Sequence, residues 1–429
     1  MAVIHKSVCS GAGSNIIRAV LPNGMVVLIT ENPSADIVAS RILVRGGGRQ
    51  EVPTHAGVAH LLTTVLTKGT ARFSSQEIAE QVESVGASLG TEATADYCLL
   101  GFKTVSEDFE AILRLAAEIM RSPTFPEDEL ALEQRLTVQG IRSMYEQPFA
   151  IAYNQLRAIL HDQAAYSVSV MGTEETVSRL DRDAILHYYN THFRPDNIVI
   201  SIAGRIHSET ALAAIENAFG DWQAKNQAIF QDAIAPPIPL TTHCTITPQD
   251  TQQAIVMLGY QAASVHSADY ISLKLLSTYL GNGLSSRLFV ELREKQGLAY
   301  DVSAIYPTRV APSHFVVYMG TAPQNVSVAI DGLRREVKRL CQTKLTPDEL
   351  QVAKNKLLGQ YALGKQTNGQ LAQLYGWYEV LELGIDFDHR FQQSIHDLSL
   401  DQLHSVAHKY LDQEGCLSLV GPEEAIASF

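Results

Sequence analysis

His60-Leu-Leu-Thr63-Thr64-Val-Leu-Thr-Lys68-Gly69 lies over Lys274-Leu-Leu-Ser-Thr-Tyr-Leu-Gly-Asn-Gly283 without a gap, at an offset of 214 residues. Each stretch carries apolar residues at helical spacing and closes on glycine, the mark of a helix and its stop. A second pair follows in the same order: Pro126-Glu-Asp-Glu-Leu130 returns in kind as Pro347-Asp-Glu-Leu350, offset by 220 at the shared Asp-Glu-Leu. Chance similarity between amphipathic helices is the competing explanation. The matching order of strand, helix and second helix argues against it. The 429 residues then divide into two similar halves of about 210 each.

Outward from the first copy, Leu21-Pro22-Asn23-Gly24 separates two β-rich runs and predicts a hairpin turn. A strand over 36–45 ends at Gly46-Gly47-Gly48, and a helix is expected over 55–66. Ser74 followed three residues later by Glu77 is a capping-box signal for the next helix. Strands are expected over 87–94 and 97–105, then helices over 108–120 and 127–145 and from Pro148. A strand over 197–203 and a helix over 208–219 close the half. Pro236, Pro237 and Pro239 mark an extended linker. Beyond it come a strand over 252–260, a helix over 268–280, a strand over 313–319 and helices over 323–340 and 347–363. The expected class is α+β, each domain a mostly antiparallel sheet with helices on one face. The expected domains are 1–220 and 241–429, joined by 221–240.

Composition narrows the function. A net charge of −13 disfavours a nucleic-acid binder, because phosphate contacts need a basic footprint. Five widely spaced cysteines without a C-x-x-C fit reduced core thiols rather than a disulfide framework. The first twenty residues lack an apolar run of signal-peptide length, and no stretch approaches the roughly 18 apolar residues of a membrane span. A cytoplasmic protein without a membrane partner is expected.

Two segments carry chemistry. The first runs Arg45-Gly-Gly-Gly-Arg-Gln-Glu51, then Gly57-Val-Ala-His60-Leu-Leu-Thr63-Thr64, then Lys68-Gly-Thr70. The second is Gly281-Asn-Gly-Leu-Ser-Ser-Arg287-Leu-Phe-Val-Glu-Leu-Arg293-Glu-Lys-Gln-Gly297-Leu-Ala-Tyr300. Together they resemble the pitrilysin and mitochondrial-processing-peptidase family, the inverted zincins. Leu21–Gly24, Thr94-Ala-Asp-Tyr97, Phe193-Arg-Pro-Asp-Asn197 and Thr321-Ala-Pro323 extend the resemblance over most of the chain. Those enzymes carry H-x-x-E-H on one helical face: two zinc ligands and the general base. A later Glu completes the ligand set.

The resemblance fails at the decisive positions. His60 matches the first His, Thr63 replaces the base and Thr64 the second His. Gly140, seven residues after Glu133 and followed by Ile141, stands where the last ligand belongs. Threonine hydroxyls are poor zinc ligands at neutral pH, so the site is read as vestigial and no metal or cofactor is expected in this chain. Arg293 and Tyr300, by contrast, match an intact Arg/Tyr pair that in the family reaches the active site. On spacing alone, a surface ion pair and a core-edge tyrosine would explain them.

What the resemblance implies is a non-catalytic subunit of a heteromeric zinc metallopeptidase. Arg293 and Tyr300 would complete the active site of a homologous partner carrying H-x-x-E-H, where the zinc is expected. Peptide substrates would add as a strand at the edge around 91–97. A homodimer is possible when the partner is absent. The alternatives are an assembly subunit without a peptidase role, or a homo-oligomeric hydrolase using an unrecognised site. His404 and His408, at i,i+4 spacing, are the candidates for the latter, although a structural helix face explains them better. Gly46–Gly48 lacks a P-loop ending, and Tyr375, Trp377 and Tyr378 suggest core or interface packing.

Overall fold

The computed structural model describes residues 5–11, 14–162, 165–224, 244–427 and 429. Its first sheet holds β1 (His5–Gly11), β2 (Ser14–Val20), β3 (Val26–Glu31), β4 (Ile37–Arg45), β5 (Ser88–Ala93), β6 (Tyr97–Val105) and β7 (Ile198–Gly204). Their order is β1-β2-β3-β7-β4-β6-β5, with only β3 and β7 parallel. The helices of this half are α1 (Val58–Val65), α2 (Ser75–Glu83), α3 (Phe109–Arg121), α4 (Glu127–Met144), α5 (Pro148–His161), α6 (Glu174–Val177), α7 (Arg182–His192) and α8 (Ser208–Phe219).

The second sheet holds β8 (Cys244–Pro248), β9 (Ala254–Ala262), β10 (Ala299–Ile305), β11 (Ser313–Thr321) and β12 (Cys416–Gly421), ordered β10-β11-β9-β12-β8. Only β12 and β8 are parallel. The helices are α9 (Tyr270–Gly281), α10 (Val326–Gln342), α11 (Pro347–Leu363), α12 (Asn368–Val380), α13 (Phe387–Asp397), α14 (Leu400–Leu411) and α15 (Glu423–Ile426). The chain is α+β, two similar domains on mostly antiparallel sheets, as its repeat predicts.

Local chemistry explains the elements. The Leu21–Gly24 turn closes with the Gly24 amide on the Leu21 carbonyl at 2.9 Å, and the Asn23 amide ties it to the Phe219 carbonyl at 2.8 Å. Ser74 and Glu77 form the expected capping box, each side chain accepting the other's backbone N–H. β7 is buried along its whole length, the apolar run of a strand covered on both faces, whereas β6 alternates buried with more exposed positions.

Two compact units result. The first comprises 1–140, 169–231 and 362–390; the second comprises 141–168, 232–361 and 391–429. This differs from a division at 221–240, because two helices trade places. α5 precedes the linker in sequence yet packs on β9 and β12, while α12 follows it yet packs on β4 and β7. Residues 225–240 of the expected linker lie outside the described residues.

In the first unit, α1, α3 and α8 bury one face of the sheet around Ile42, Val44, Leu100 and Phe102. α12 also covers the opposite face of β4 and β7, which the expected one-sided packing does not include. It approaches so closely that a Cβ at Gly376 would meet Leu43 Cδ1 at 2.5 Å. The second unit repeats the device from the sheet side. A Cβ at Gly259 of β9 would meet the Leu160 and Leu156 side chains of α5 at 2.7–2.9 Å.

Candidate functional site

α1 starts later than the expected 55–66, because Pro53–His55 forms a separate 3₁₀ turn. Glu51 then fixes the helix start. Its carboxylate accepts from the Gly57 amide at 2.9 Å and the Ala59 amide at 2.7 Å, supplying the anion that a helix N-terminus favours. Burial pushes this carboxyl up to about 7, against the pull of both amides.

His60, Thr63 and Thr64 all lie on α1. The Thr63 hydroxyl, only 2% exposed, donates to the His60 carbonyl at 2.8 Å. The Thr64 hydroxyl donates to the Leu61 carbonyl at 2.8 Å. These i−3 bonds to the helix's own backbone occupy the hydroxyl protons. Burial holds His60 below its ordinary pKa, with Glu133 opposing. Glu133 itself pairs with Lys68 at 2.8 Å. Gly140 brings no donor, and a Cβ there would meet Met171 Cε at 3.2 Å.

One imidazole, two hydroxyls bonded to backbone and a glycine do not fit a zinc ion. Among the described residues, no group of three or more His, Cys, Asp and Glu could hold a metal. His404 and His408 do not converge on one either. His404 Nδ1 contacts the Leu340 carbonyl at 3.2 Å, and His408 Nε2 pairs with Asp412 at 2.9 Å. The amides of Gly46, Gly47, Gly48 and Arg49 all have protein acceptors, so this turn offers no phosphate cradle.

The second segment is built differently. Phe289–Glu294 is a π-helical turn anchored by fully buried Leu292. It ends where the Gly297 amide meets the Arg293 carbonyl at 3.0 Å and the Leu298 amide meets the Leu292 carbonyl at 2.9 Å. Such turns are rare and recur at functional sites. Arg293 is exposed, its guanidinium over the Phe289 ring at 4.9 Å. Tyr300 sits in β10 where the register with β11 shifts between Ala299 and Asp301, and 58% of its surface faces solvent. Bulges of this kind re-aim side chains. Among the described residues Arg293 makes no ion pair, and Tyr300 is exposed rather than packed at the core edge, so the explanation from spacing alone does not fit their surroundings. The ion pairs fall to Arg287, which holds Glu336 at 2.8 Å and Glu291 at 3.0 Å.

The expected edge around 91–97 needs correction. Only Thr91–Ala93 belong to edge strand β5. Residues 94–96 turn, with the Thr94 hydroxyl accepting from the Asp96 and Tyr97 amides, and Tyr97 opens β6 between β4 and β5. Sequence reasoning also missed Arg41 and Lys103, which line a cleft beside α12. No sequence signal joins two strands and a helix of such separation.

With this geometry in hand, comparison with known proteins gives the class. Residues 26–174 match the profile of insulinase (peptidase family M16), and residues 179–357 match that of the peptidase M16 inactive domain. The chain belongs to peptidase family M16. Among its relatives is the uncharacterized zinc protease YmxG of Bacillus subtilis, 26% identical over 414 residues, which span 95% of this chain and 98% of that protein. An uncharacterized zinc protease of Rickettsia bellii is 27% identical over 372 residues, 86% of each chain. The fold is shared with the peptidase M16 inactive domain from Pseudomonas fluorescens (TM-score 0.87, 22% identity, 95% of this chain and 98% of that one). A protease from Helicobacter pylori shares it too (TM-score 0.86, 21% identity, 95% and 99%). No described helix is long and apolar enough to cross a membrane.

Proposed function

We propose that this chain is the non-catalytic subunit of a two-chain zinc peptidase of family M16. It binds peptide and lends Arg293 and Tyr300 to the zinc site of a homologous subunit carrying H-x-x-E-H. The observation that carries this reading is a contrast between the two segments. Ligand and base chemistry is gone at Thr63, Thr64 and Gly140, while Arg293 and Tyr300 are kept and exposed. A guanidinium holds a peptide carbonyl or carboxylate, and a phenol donates to the oxyanion of a tetrahedral intermediate. Zinc, in this reading, belongs to the partner. Peptide joins as a strand along Thr91–Ala93, and a homodimer forms when the partner is missing.

The test is recovery of the native complex, with its mass and zinc content. A one-to-one pair with about one zinc supports the reading. In that pair, Arg293→Ala and Tyr300→Phe should each lower turnover, on the order of 10²-fold for loss of an oxyanion donor, with assembly unchanged. Unchanged turnover in both variants rejects it. A zinc-free complex without peptidase activity assigns an assembly role instead.

A further inference from the structure

On the face of the first sheet opposite the α1 core, a cleft of about 920 Å³ opens between α12 and strands β4 and β6. The volume is within the range of ligand pockets. Its lining includes Arg41, Lys103, Gln370, Ile37, Leu374 and Trp377. In register across the strands, Arg41 faces Gly101 and Gly101 faces Gly90, a lane bare of side chains. The guanidinium lies along it. A Cβ at Gly101 would meet Arg41 Nη1 at 3.0 Å, and one at Gly369, in the first turn of α12, would meet Nη2 at 3.2 Å.

Arg41 is half-buried, and the hydrogen bond it makes is from Nη1 to the Ser40 carbonyl at 2.9 Å. Burial lowers its pKa, with Glu92 opposing from beyond ion-pair distance. Lys103 is exposed on the same face of β6. Two cations that form no ion pair among the described residues therefore line one cleft of a chain carrying net −13. A desolvated guanidinium with donors left over is built for bidentate capture of an oxyanion. Beside it, Ile37, Leu374 and the half-buried Trp377 supply an apolar wall.

We propose that this cleft binds the carboxylate of a peptide, with Arg41 and Lys103 holding the acid and the Trp377 wall taking the adjoining apolar residue. Its lining includes no residue of the degenerate zinc helix and neither Arg293 nor Tyr300. It stands whether or not a partner subunit exists. The acid is either a side-chain carboxylate or a peptide C-terminus.

The experiment uses the full chain without a partner, in a Trp222→Phe background so that Trp377 is the one remaining tryptophan. Its fluorescence is titrated with N-acetylated Ala-Ala-Phe-Glu amide, N-acetylated Ala-Ala-Phe free acid, N-acetylated Ala-Ala-Phe-Gln amide and inorganic phosphate. Saturable binding of one or both acidic peptides, and not of the glutamine peptide, is expected; the responding probe identifies the source of the acid. R41Q should weaken it about tenfold or more, and K103Q several-fold. Equal binding of the glutamine peptide, no saturation by about 1 mM, or unchanged affinity in both variants overturns the proposal. Phosphate binding without acidic-peptide binding also overturns it. K103Q, at an exposed position, keeps the test valid should R41Q misfold.

Discussion

The Thr91 hydroxyl donates to the Thr63 carbonyl at 2.7 Å, bonding edge strand β5 to α1 at the position that the family resemblance matches to the general base. The carbonyl is free to accept because Thr63 sits near the helix end, within the last turn of unpaired acceptors. The threonine at 91 thus stiffens the edge on which a peptide strand would add. Thr91→Val keeps the shape and removes the donor. It should cost about 1 kcal/mol of stability, read from the urea midpoint at constant slope.

Zinc content checks the donor argument. The purified chain should carry no stoichiometric zinc by elemental mass spectrometry. The double replacement Thr64→His and Gly140→Glu supplies two ligands beside His60. It should bring the content towards one ion per chain, since among the described residues a Cβ at position 140 meets just the terminal methyl of the long Met171 side chain, at 3.2 Å. Stoichiometric zinc in the unmodified chain would show that a donor set other than these residues holds the metal.

Arg293 and Tyr300 should be thermodynamically silent. Both are exposed, and Arg293 makes no ion pair among the described residues. Arg293→Ala and Tyr300→Phe should change unfolding free energy by less than about 0.5 kcal/mol. A larger loss would mean that these side chains serve packing rather than chemistry.

Acid should destabilise the fold. Burial pushes His161 and His192 down to about 4, so both stay neutral in the folded chain while titrating near 6.5 when unfolded. Between those values the unfolded state binds more protons, and stability falls as pH drops from about 6.5 towards 4, by about 1–2 kcal/mol for each group at pH 5. Glu51 has the opposite sign, because its raised pKa favours the folded state as pH falls from about 7 to 4.5. His192→Phe removes one histidine contribution; Nδ1 of that ring is buried without a hydrogen-bond partner among the described residues. Whatever its stability at pH 7.5, the variant should lose less on acidification than the parent. Equal losses would place the acid sensitivity elsewhere.

Close helix–sheet contact predicts steric sensitivity. Gly376→Val would drive its branched side chain into Leu43 and Ser201 and should cost about 1–3 kcal/mol, seen as a lowered Tm. An unaffected Tm would mean that α12 can lift from the sheet.

Much of this architecture is legible in the residues. Ser74/Glu77 give α2 its start, Leu21–Gly24 give the β2–β3 hairpin, and Pro347 opens a helix that ends at Leu363 as expected. β8 and β12 were not legible. β12 is six residues, all buried, with no alternation to separate it from a helix fragment. The π-turn before Tyr300 escapes reading, because its apolar and charged residues follow the pattern of an ordinary helical turn. The Arg/Tyr pair is visible as a spacing of seven, but its exposure is a tertiary fact. Arg41 is invisible as a site, since its two glycine neighbours come from β6 and from α12, 60 and 328 residues away.

The exchange of α5 and α12 sets the grain at which this protein can be inherited. A gene fragment encoding residues 1–220 would carry α5 away from β9 and β12 and leave β4 and β7 without α12. Both products would expose apolar sheet faces and would be prone to aggregate. Although the halves are built alike, neither is complete without a helix encoded in the other, and the chain functions as one indivisible module.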